Sequence, residues 1–149
     1  MTTEGMPARG GPAQGGSAQG GSADGGPAEA VPAEEETLLR RMYEVFSTDE
    51  RDAFIPRCLA PDVDWPNVLD GVRLHGHEEV RAYWARQFTA GHPLVRLEGL
   101  RLDGDGEGVV ATVRQGMRDA EGDHWAGTVE HVYRFGEDGR VARMDVRAV

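Results

Sequence analysis

The sequence predicts an α+β fold: a cone-shaped, curved antiparallel sheet with a mixed edge, and three helices from the N-terminal half packed on its concave side. Apolar residues recur at helical spacing in three segments before residue 92. Four segments of strand character follow, separated by glycine-containing turns. A bent sheet covered by helices encloses a hollow, and such hollows are common ligand sites.

The N-terminal segment differs from the rest of the chain. Residues 10–29 repeat a five-residue motif four times, as GGPAQ, GGSAQ, GGSAD and GGPAE. Small side chains offer little apolar surface to bury, and ordering glycine is entropically costly. The pattern therefore predicts a flexible tail over residues 1–33, with a tether or partner-binding strip as the alternative, and a folded domain over 34–149.

Three helices are predicted. The first, residues 34–46, begins with three glutamates, which the positive end of the helix dipole favours. The second, residues 50–60, contains Pro56, which should kink or shorten it, and Ser47-Thr48-Asp49 offers its N-cap. The third, residues 77–91, has Val80, Tyr83, Trp84 and Phe88 on one side and ends at a glycine.

The strands follow from alternation of apolar and polar residues. DVDWPN (62–67) and GVRLHG (71–76) form the first pair, and the last four strands lie within 94–104, 108–119, 124–135 and 140–149. DGDGE, DAEGD and GEDGR are typical hairpin turns. The apolar phase slips within the third strand, which predicts a bulge at Glu98-Gly99.

Composition excludes several classes of function. The net charge is −10, with 26 acidic residues against 16 basic ones, which argues against a nucleic-acid partner. The chain contains no lysine, so Schiff-base chemistry is excluded. A single cysteine, Cys58, suits a reducing compartment, and the sequence shows neither a signal peptide nor a membrane-spanning run. A cytoplasmic protein that binds no membrane is expected.

The stretch HGHEE (75–79) raises the question of a metal site. Two histidines and a carboxylate are ligand types that zinc or iron accept. However, His75 ends a strand and His77 opens a helix, whose first-turn acids are explained by the helix dipole. The sequence therefore favours a helix start, and no metal or cofactor is expected.

A pocket wall is the alternative interpretation of the same region, and the strand phase extends it over the sheet. Polar side chains that share faces with apolar ones are paired in the core or directed at a ligand. The candidate substrate-binding residues are Trp65, Asn67, Trp84, Gln115, Met117, Tyr133 and Met144. His131 shares a strand face with Tyr133, and Tyr43 joins this set from the first helix.

The helix order, LAPDVDW, G-HEEVRAYW and the closing HVYRFGEDGRVARMDV resemble the nuclear-transport-factor-2-like superfamily over about residues 36–149. That superfamily includes ketosteroid isomerases, SnoaL-like polyketide cyclases and limonene epoxide hydrolases. In the isomerases, a tyrosine and a protonated aspartic acid form the oxyanion hole. The resemblance places Tyr43 on that tyrosine and His131 on that acid. Asn67 falls where the proton-moving aspartate should be, and an amide cannot take a proton.

Two hypotheses follow. The first is a cofactor-independent isomerase, cyclase or dehydratase acting by proton transfer on a small apolar carbonyl compound. In it His131, with an unperturbed pKa near 6.5, is the general acid/base, and Tyr43 donates a hydrogen bond to the enolate. The second is a non-catalytic dimeric pocket protein that binds a small hydrophobic ligand or a protein partner. The resemblance implies a homodimer in either case.

The paired carboxylates and arginine of the epoxide-hydrolase pattern have no inward counterpart, since Arg114, Arg134 and Asp145 fall on outward phases. Proton transfer by His131 and Tyr43 is therefore the leading hypothesis for catalysis.

Overall fold

The structure is a computed structural model, and it is described over residues 30–149. Val31–Val149 forms one compact unit. Residues 1–29, which include the repeat region that the sequence predicts to be a tail, lie outside the described residues. In the described part, the order of elements is α1 (Ala33–Val45), α2 (Arg51–Cys58), β1 (Leu59–Asn67), β2 (Val72–His75), α3 (His77–Ala90), β3 (His92–Leu102), β4 (Val109–Asp119), β5 (Gly122–Phe135) and β6 (Val141–Ala148).

Six strands form one mixed sheet in the order β2-β1-β6-β5-β4-β3. All neighbours are antiparallel except β1 and β6, which run parallel and pair Leu59 with Val141. The last four strands form the expected meander, and the sheet is open at both edges. The α+β architecture predicted from the sequence is confirmed and the sheet is mixed, but its parallel pair, β1 with β6, lies inside the sheet and not at an edge.

The predicted bulge is present in β3, where the register with β4 shifts between Leu97 and Gly99. The bulge restores the apolar phase, so that residues on both sides of the slip can face the helices. A second shift lies between Gln115 and Gly116 of β4, opposite the start of β5. This second irregularity has no apolar phase slip in the sequence to mark it.

Helix boundaries follow local chemistry. Gly76 has a φ of +88°, a left-handed conformation that favours glycine, and α3 begins directly after it. Helix α2 ends at Cys58, two residues after Pro56, as the proline predicts. The prediction that a side chain of Ser47-Thr48-Asp49 caps α2 is wrong. Glu50 occupies the N-cap position, and the Thr48 hydroxyl accepts a hydrogen bond from the Glu50 amide instead of capping the helix.

The core lies between the helices and the inner face of the sheet. Its fully buried members include Leu39 from α1, Ile55 from α2, Val63 from β1, Val80 from α3 and Val113 from β4. Every layer of the fold therefore contributes to one apolar cluster, which holds the three helices against the sheet. No helix in the described residues is long and apolar enough to span a membrane.

Ion pairs stabilise the outer face of the sheet. Arg73 of β2 donates to Asp64 of β1 at 2.6 Å and to Asp145 of β6 at 3.0 Å, and Arg143 pairs with the same two carboxylates. These bonds connect β2, β1 and β6, which are neighbours at one side of the sheet. They also occupy Asp145 on the side of the sheet away from the core.

Candidate functional site

A cavity of about 740 Å³ lies between the helices and the inner face of the sheet. It is lined mainly by apolar and aromatic side chains, and no aspartate, glutamate or arginine of the described residues is among them. Eight of the nine predicted site residues line it: Tyr43, Trp65, Trp84, Gln115, Met117, His131, Tyr133 and Met144. Residues predicted from strand alternation and from helical spacing to face inward thus line the same cavity.

Three polar side chains meet in the wall of this cavity. The Tyr43 hydroxyl is 2.8 Å from His131 Nδ1 and also forms a short hydrogen bond with the Tyr133 hydroxyl. His131 and Tyr133 stand two residues apart on β5, so their side chains share the inner face, and α1 brings Tyr43 to them. The Tyr43 and His131 rings are nearly parallel, at 15°, with centroids 6.1 Å apart.

Burial holds all three groups in their neutral forms. It lowers the pKa of His131 to about 4, since a charged imidazolium would lose its hydration in this site. Burial likewise raises the pKa of Tyr43 and of Tyr133 well above the ordinary tyrosine value. The expectation of a histidine that titrates near 6.5 is therefore corrected: the resting site contains a neutral imidazole and two protonated phenols.

One ring nitrogen of His131 remains available. Nδ1 is engaged by Tyr43, whereas Nε2 has no hydrogen-bond partner in the described part of the chain and is not sealed from solvent. Because His131 lines the cavity, Nε2 is the imidazole atom that a bound molecule can reach. The tautomer depends on which atom of the Tyr43–His131 bond donates.

The lowered pKa predicts a specific titration. We expect the His131 ring resonances, followed by NMR and assigned by their loss in His131→Gln, to move with a midpoint near pH 4. Between about pH 4 and 6.5 only the unfolded chain binds this proton, so stability should rise with pH across that window, by roughly 3 kcal/mol in total. This rise should be missing in His131→Gln. A midpoint at 6.5 or above would contradict the proposed burial.

Asn67 is the one predicted site residue that lies outside the cavity lining. Asn67 is buried but does not line the cavity. Its side-chain oxygen accepts a hydrogen bond from the Asp70 amide at 3.0 Å, and its Nδ2 donates to the Asp70 carboxylate at 3.1 Å. Asn67 ends β1, and the tight turn to β2 leaves backbone groups that an amide side chain can satisfy. Asn67 thus stabilises a turn.

Of the two histidines in HGHEE, His77 contacts a backbone carbonyl through its ring, and His75 is exposed. His77 Nε2 lies 2.8 Å from the carbonyl oxygen of Leu59, and Glu79 accepts a hydrogen bond from the His75 amide at 2.7 Å. The His75 side chain is 66% exposed. A different trio, Asp119, Glu121 and His124, brings its ligand atoms within 4.8 Å of one another on an exposed hairpin. The sequence analysis did not identify this trio.

The cavity also contains residues that sequence reasoning missed. Gln87 of α3 is the main one, and Tyr83, Pro93 and His124 are others. A signal for Gln87 was present, since it follows Tyr83 by four residues and Trp84 by three and so shares their helix face. Arg114, Arg134 and Asp145 do not line the cavity, in agreement with their outward phase.

Comparison with known proteins identifies the family. The family model described as a SnoaL-like domain matches residues 39–144, which is most of the chain. No functionally curated protein matches the sequence. Solved structures with the same fold include an NTF2-like protein from Burkholderia pseudomallei, with 23% identity, a TM-score of 0.62, and coverage of 79% of this chain and 92% of that one.

Two further structures are similar. A Mycobacterium tuberculosis protein in complex with estradiol-17β-hemisuccinate has 17% identity and a TM-score of 0.60, and the match covers 77% of this chain and 93% of that one. The epoxide hydrolase/cyclase-like enzyme SalBIII, of pyran ring formation in salinomycin, has 13% identity and a TM-score of 0.62, covering 76% and 89%. At these identities the structures establish the fold. The family model, which matches more than half of the chain, shows that this chain belongs to the SnoaL-like domain family.

Proposed function

We propose that the protein is a cofactor-independent enzyme that moves a proton on a small, largely apolar carbonyl compound, as an isomerase, cyclase or dehydratase. The observation that carries this proposal is the hydrogen-bonded set of Tyr43, His131 and Tyr133 in the wall of a largely apolar cavity. Apolar walls with a few converging polar groups are typical of small-molecule sites.

The chemistry follows from one tautomer of His131. When Nδ1–H donates to the Tyr43 oxygen, Nε2 carries a lone pair toward the cavity and can take a proton from the carbon next to a carbonyl. Tyr43 keeps its proton and donates a hydrogen bond to the developing enolate oxygen, while the Tyr133 hydroxyl donates a hydrogen bond to the Tyr43 oxygen. The imidazolium returns the proton to another carbon, or to a leaving hydroxyl, which gives isomerisation or dehydration.

Burial shapes this step. A pKa of about 4 makes proton uptake by His131 unfavourable in the empty cavity. An enolate that forms beside the ring supplies the opposite charge, and a low-dielectric cavity strengthens that attraction. His131 is therefore a base that works only when negative charge appears next to it.

Similar proteins support a small-molecule role. One structure contains estradiol-17β-hemisuccinate, and another is an epoxide hydrolase/cyclase-like enzyme. A homodimer and a cytoplasmic location stay predictions from the resemblance and the cysteine content. Sedimentation at micromolar concentration should give twice the chain mass of 16.2 kDa, and a monomer would contradict the dimer.

A non-catalytic pocket protein is the second candidate. It is favoured by the lack of any carboxylate among the described residues that line the cavity, and by the low basicity of His131. Such a protein would bind a small hydrophobic ligand through the same walls, and the three polar groups would only orient it.

Deuterium exchange separates the two candidates. A panel of enolisable cyclic ketones, with 2-tetralone as the first member, is incubated with the protein in D₂O, and incorporation next to the carbonyl is followed by mass spectrometry. The enzyme hypothesis expects exchange above the buffer rate for at least one ketone. Ketones that raise the melting temperature but are recovered without added deuterium would instead support binding alone.

A further inference from the structure

Besides Tyr83, His124 and Trp125, the polar side chains that line the cavity form two sets. The inner set is Tyr43, His131 and Tyr133; the two tyrosines are buried and His131 is half-buried. The outer set is the two amide side chains, Gln87 of α3 and Gln115 of β4. Neither amide has a hydrogen-bond partner in the part of the chain that the structure describes, and Gln115 is exposed at the open end.

Strand register gives the separation of the two sets. His131 pairs with Ala111, and Gln115 lies four residues further along β4. At about 3.3 Å per residue the backbone positions are roughly 13 Å apart. Trp65, Trp84, Met144 and Val95 line the space. The cavity therefore has the three polar side chains of the inner set at one end and an apolar middle. The two amide side chains, Gln87 and Gln115, lie at its mouth.

The inner end favours an uncharged ligand group. No aspartate, glutamate or arginine among the described residues lines the cavity, and the inner partners are two phenols and an imidazole. A carboxylate placed there would lose its hydration without meeting a cation, which is costly. A hydroxyl or ketone would exchange its hydrogen bonds with water for hydrogen bonds with Tyr43 and His131.

We infer that the cavity takes an elongated molecule with polar groups at both ends, its uncharged carbonyl or hydroxyl end at Tyr43 and His131 and its second polar group at Gln87 and Gln115. This inference rests on the proposed function in one respect, that the cavity is the ligand site. Gln87 and Gln115 are then specificity-determining residues, which touch the outer group and set how far the reacting end enters.

Three biphenyl probes test the inference by binding, without turnover. The probes are 4-hydroxybiphenyl, 4,4′-dihydroxybiphenyl and biphenyl-4-carboxylate, and binding is followed by the fluorescence of the tryptophans in the cavity wall. The diol should bind roughly 3–10-fold more tightly than the mono-ol, the effect of one added neutral hydrogen bond. The carboxylate should bind more weakly than the mono-ol.

Substitutions of Gln87 and Gln115 test whether these side chains cause the tighter binding of the diol. In Gln87→Leu and Gln115→Leu the advantage of the diol, taken as the ratio of diol to mono-ol affinity in the same variant, should shrink, and in the double variant it should vanish. Thr89→Val, on the exposed side of α3, is the matched control and should keep the advantage. Should Gln87→Leu fail to fold, Gln87→Asn, which withdraws the amide by one methylene, should show the same loss.

Equal binding of diol and mono-ol, an unchanged ratio in the folded double variant, or a carboxylate that binds as tightly as the mono-ol would overturn the inference. So would the absence of binding by every probe to the folded protein. The binding test and the deuterium-exchange test can fail independently. The cavity could prefer ligands with two polar ends even if no ketone exchanged deuterium.

Discussion

Replacing His131 with glutamine should lower the rate of deuterium exchange into an active ketone by roughly 10²–10⁴-fold, the usual contribution of a positioned acid/base group. Glutamine fills a similar volume and keeps a hydrogen bond to Tyr43, but it cannot accept a proton at neutral pH. Because binding contacts are largely retained, the loss should appear in kcat more than in KM.

Tyr43→Phe provides the second measurement of the same mechanism. The hydroxyl is lost while the ring stays, so the enolate oxygen loses its donor, and a fall of about 10²–10³-fold in rate is expected. His75→Gln is the matched histidine control, since the His75 side chain is exposed and outside the cavity, and it should exchange deuterium at the wild-type rate. Full activity of His131→Gln would remove His131 from the mechanism and leave the binding hypothesis.

Replacing Trp65 with alanine should lower the free energy of unfolding by about 3–5 kcal/mol. Trp65 is 5% exposed, and its ring lies 5.6 Å from Trp84 and 6.3 Å from Tyr133, centroid to centroid. The substitution removes contacts between β1, α3 and β5, and it enlarges a cavity that already lies beside the indole. Since small domains are stable by only about 5–15 kcal/mol, this is a large fraction of the total.

Urea denaturation measures the effect, with a lower midpoint at an unchanged slope expected for Trp65→Ala. Trp65→Phe is the control, since a phenyl ring retains part of the packing against Trp84 and Tyr133, and it should cost clearly less than alanine. A cost below about 1 kcal/mol for Trp65→Ala would show that the cavity wall there contributes little to the core.

Local patterns of apolar and polar residues were sufficient to predict the helices and strands. Alternation placed Val63 and Trp65 on the buried side of β1, and the phase slip located the bulge at Glu98-Gly99. These features depend on residues within a few positions of each other, where side-chain direction follows directly from helical or strand geometry. The same reasoning assigned Gln115, His131 and Tyr133 to inward faces.

Asn67 shows where that reasoning fails. The alternation correctly makes Asn67 buried, but it does not say what its amide bonds to. The partner, Asp70, belongs to a turn whose geometry depends on how β1 and β2 close. Burial is a property of the face, whereas the hydrogen-bond partner is a property of the surroundings, so a buried polar residue does not by itself indicate a site.

The sequence alone therefore determined the element order, the bulge in β3 and most of the residues that face inward, because these depend on short-range periodicity. Only the tertiary structure decided that β1 runs parallel to β6, and that Tyr43 reaches His131 and Tyr133 across 88 and 90 residues of chain. It also decided the pKa of His131, because burial depends on all the elements that pack around the ring. Long-range contacts of this kind leave no periodic signal in a single sequence.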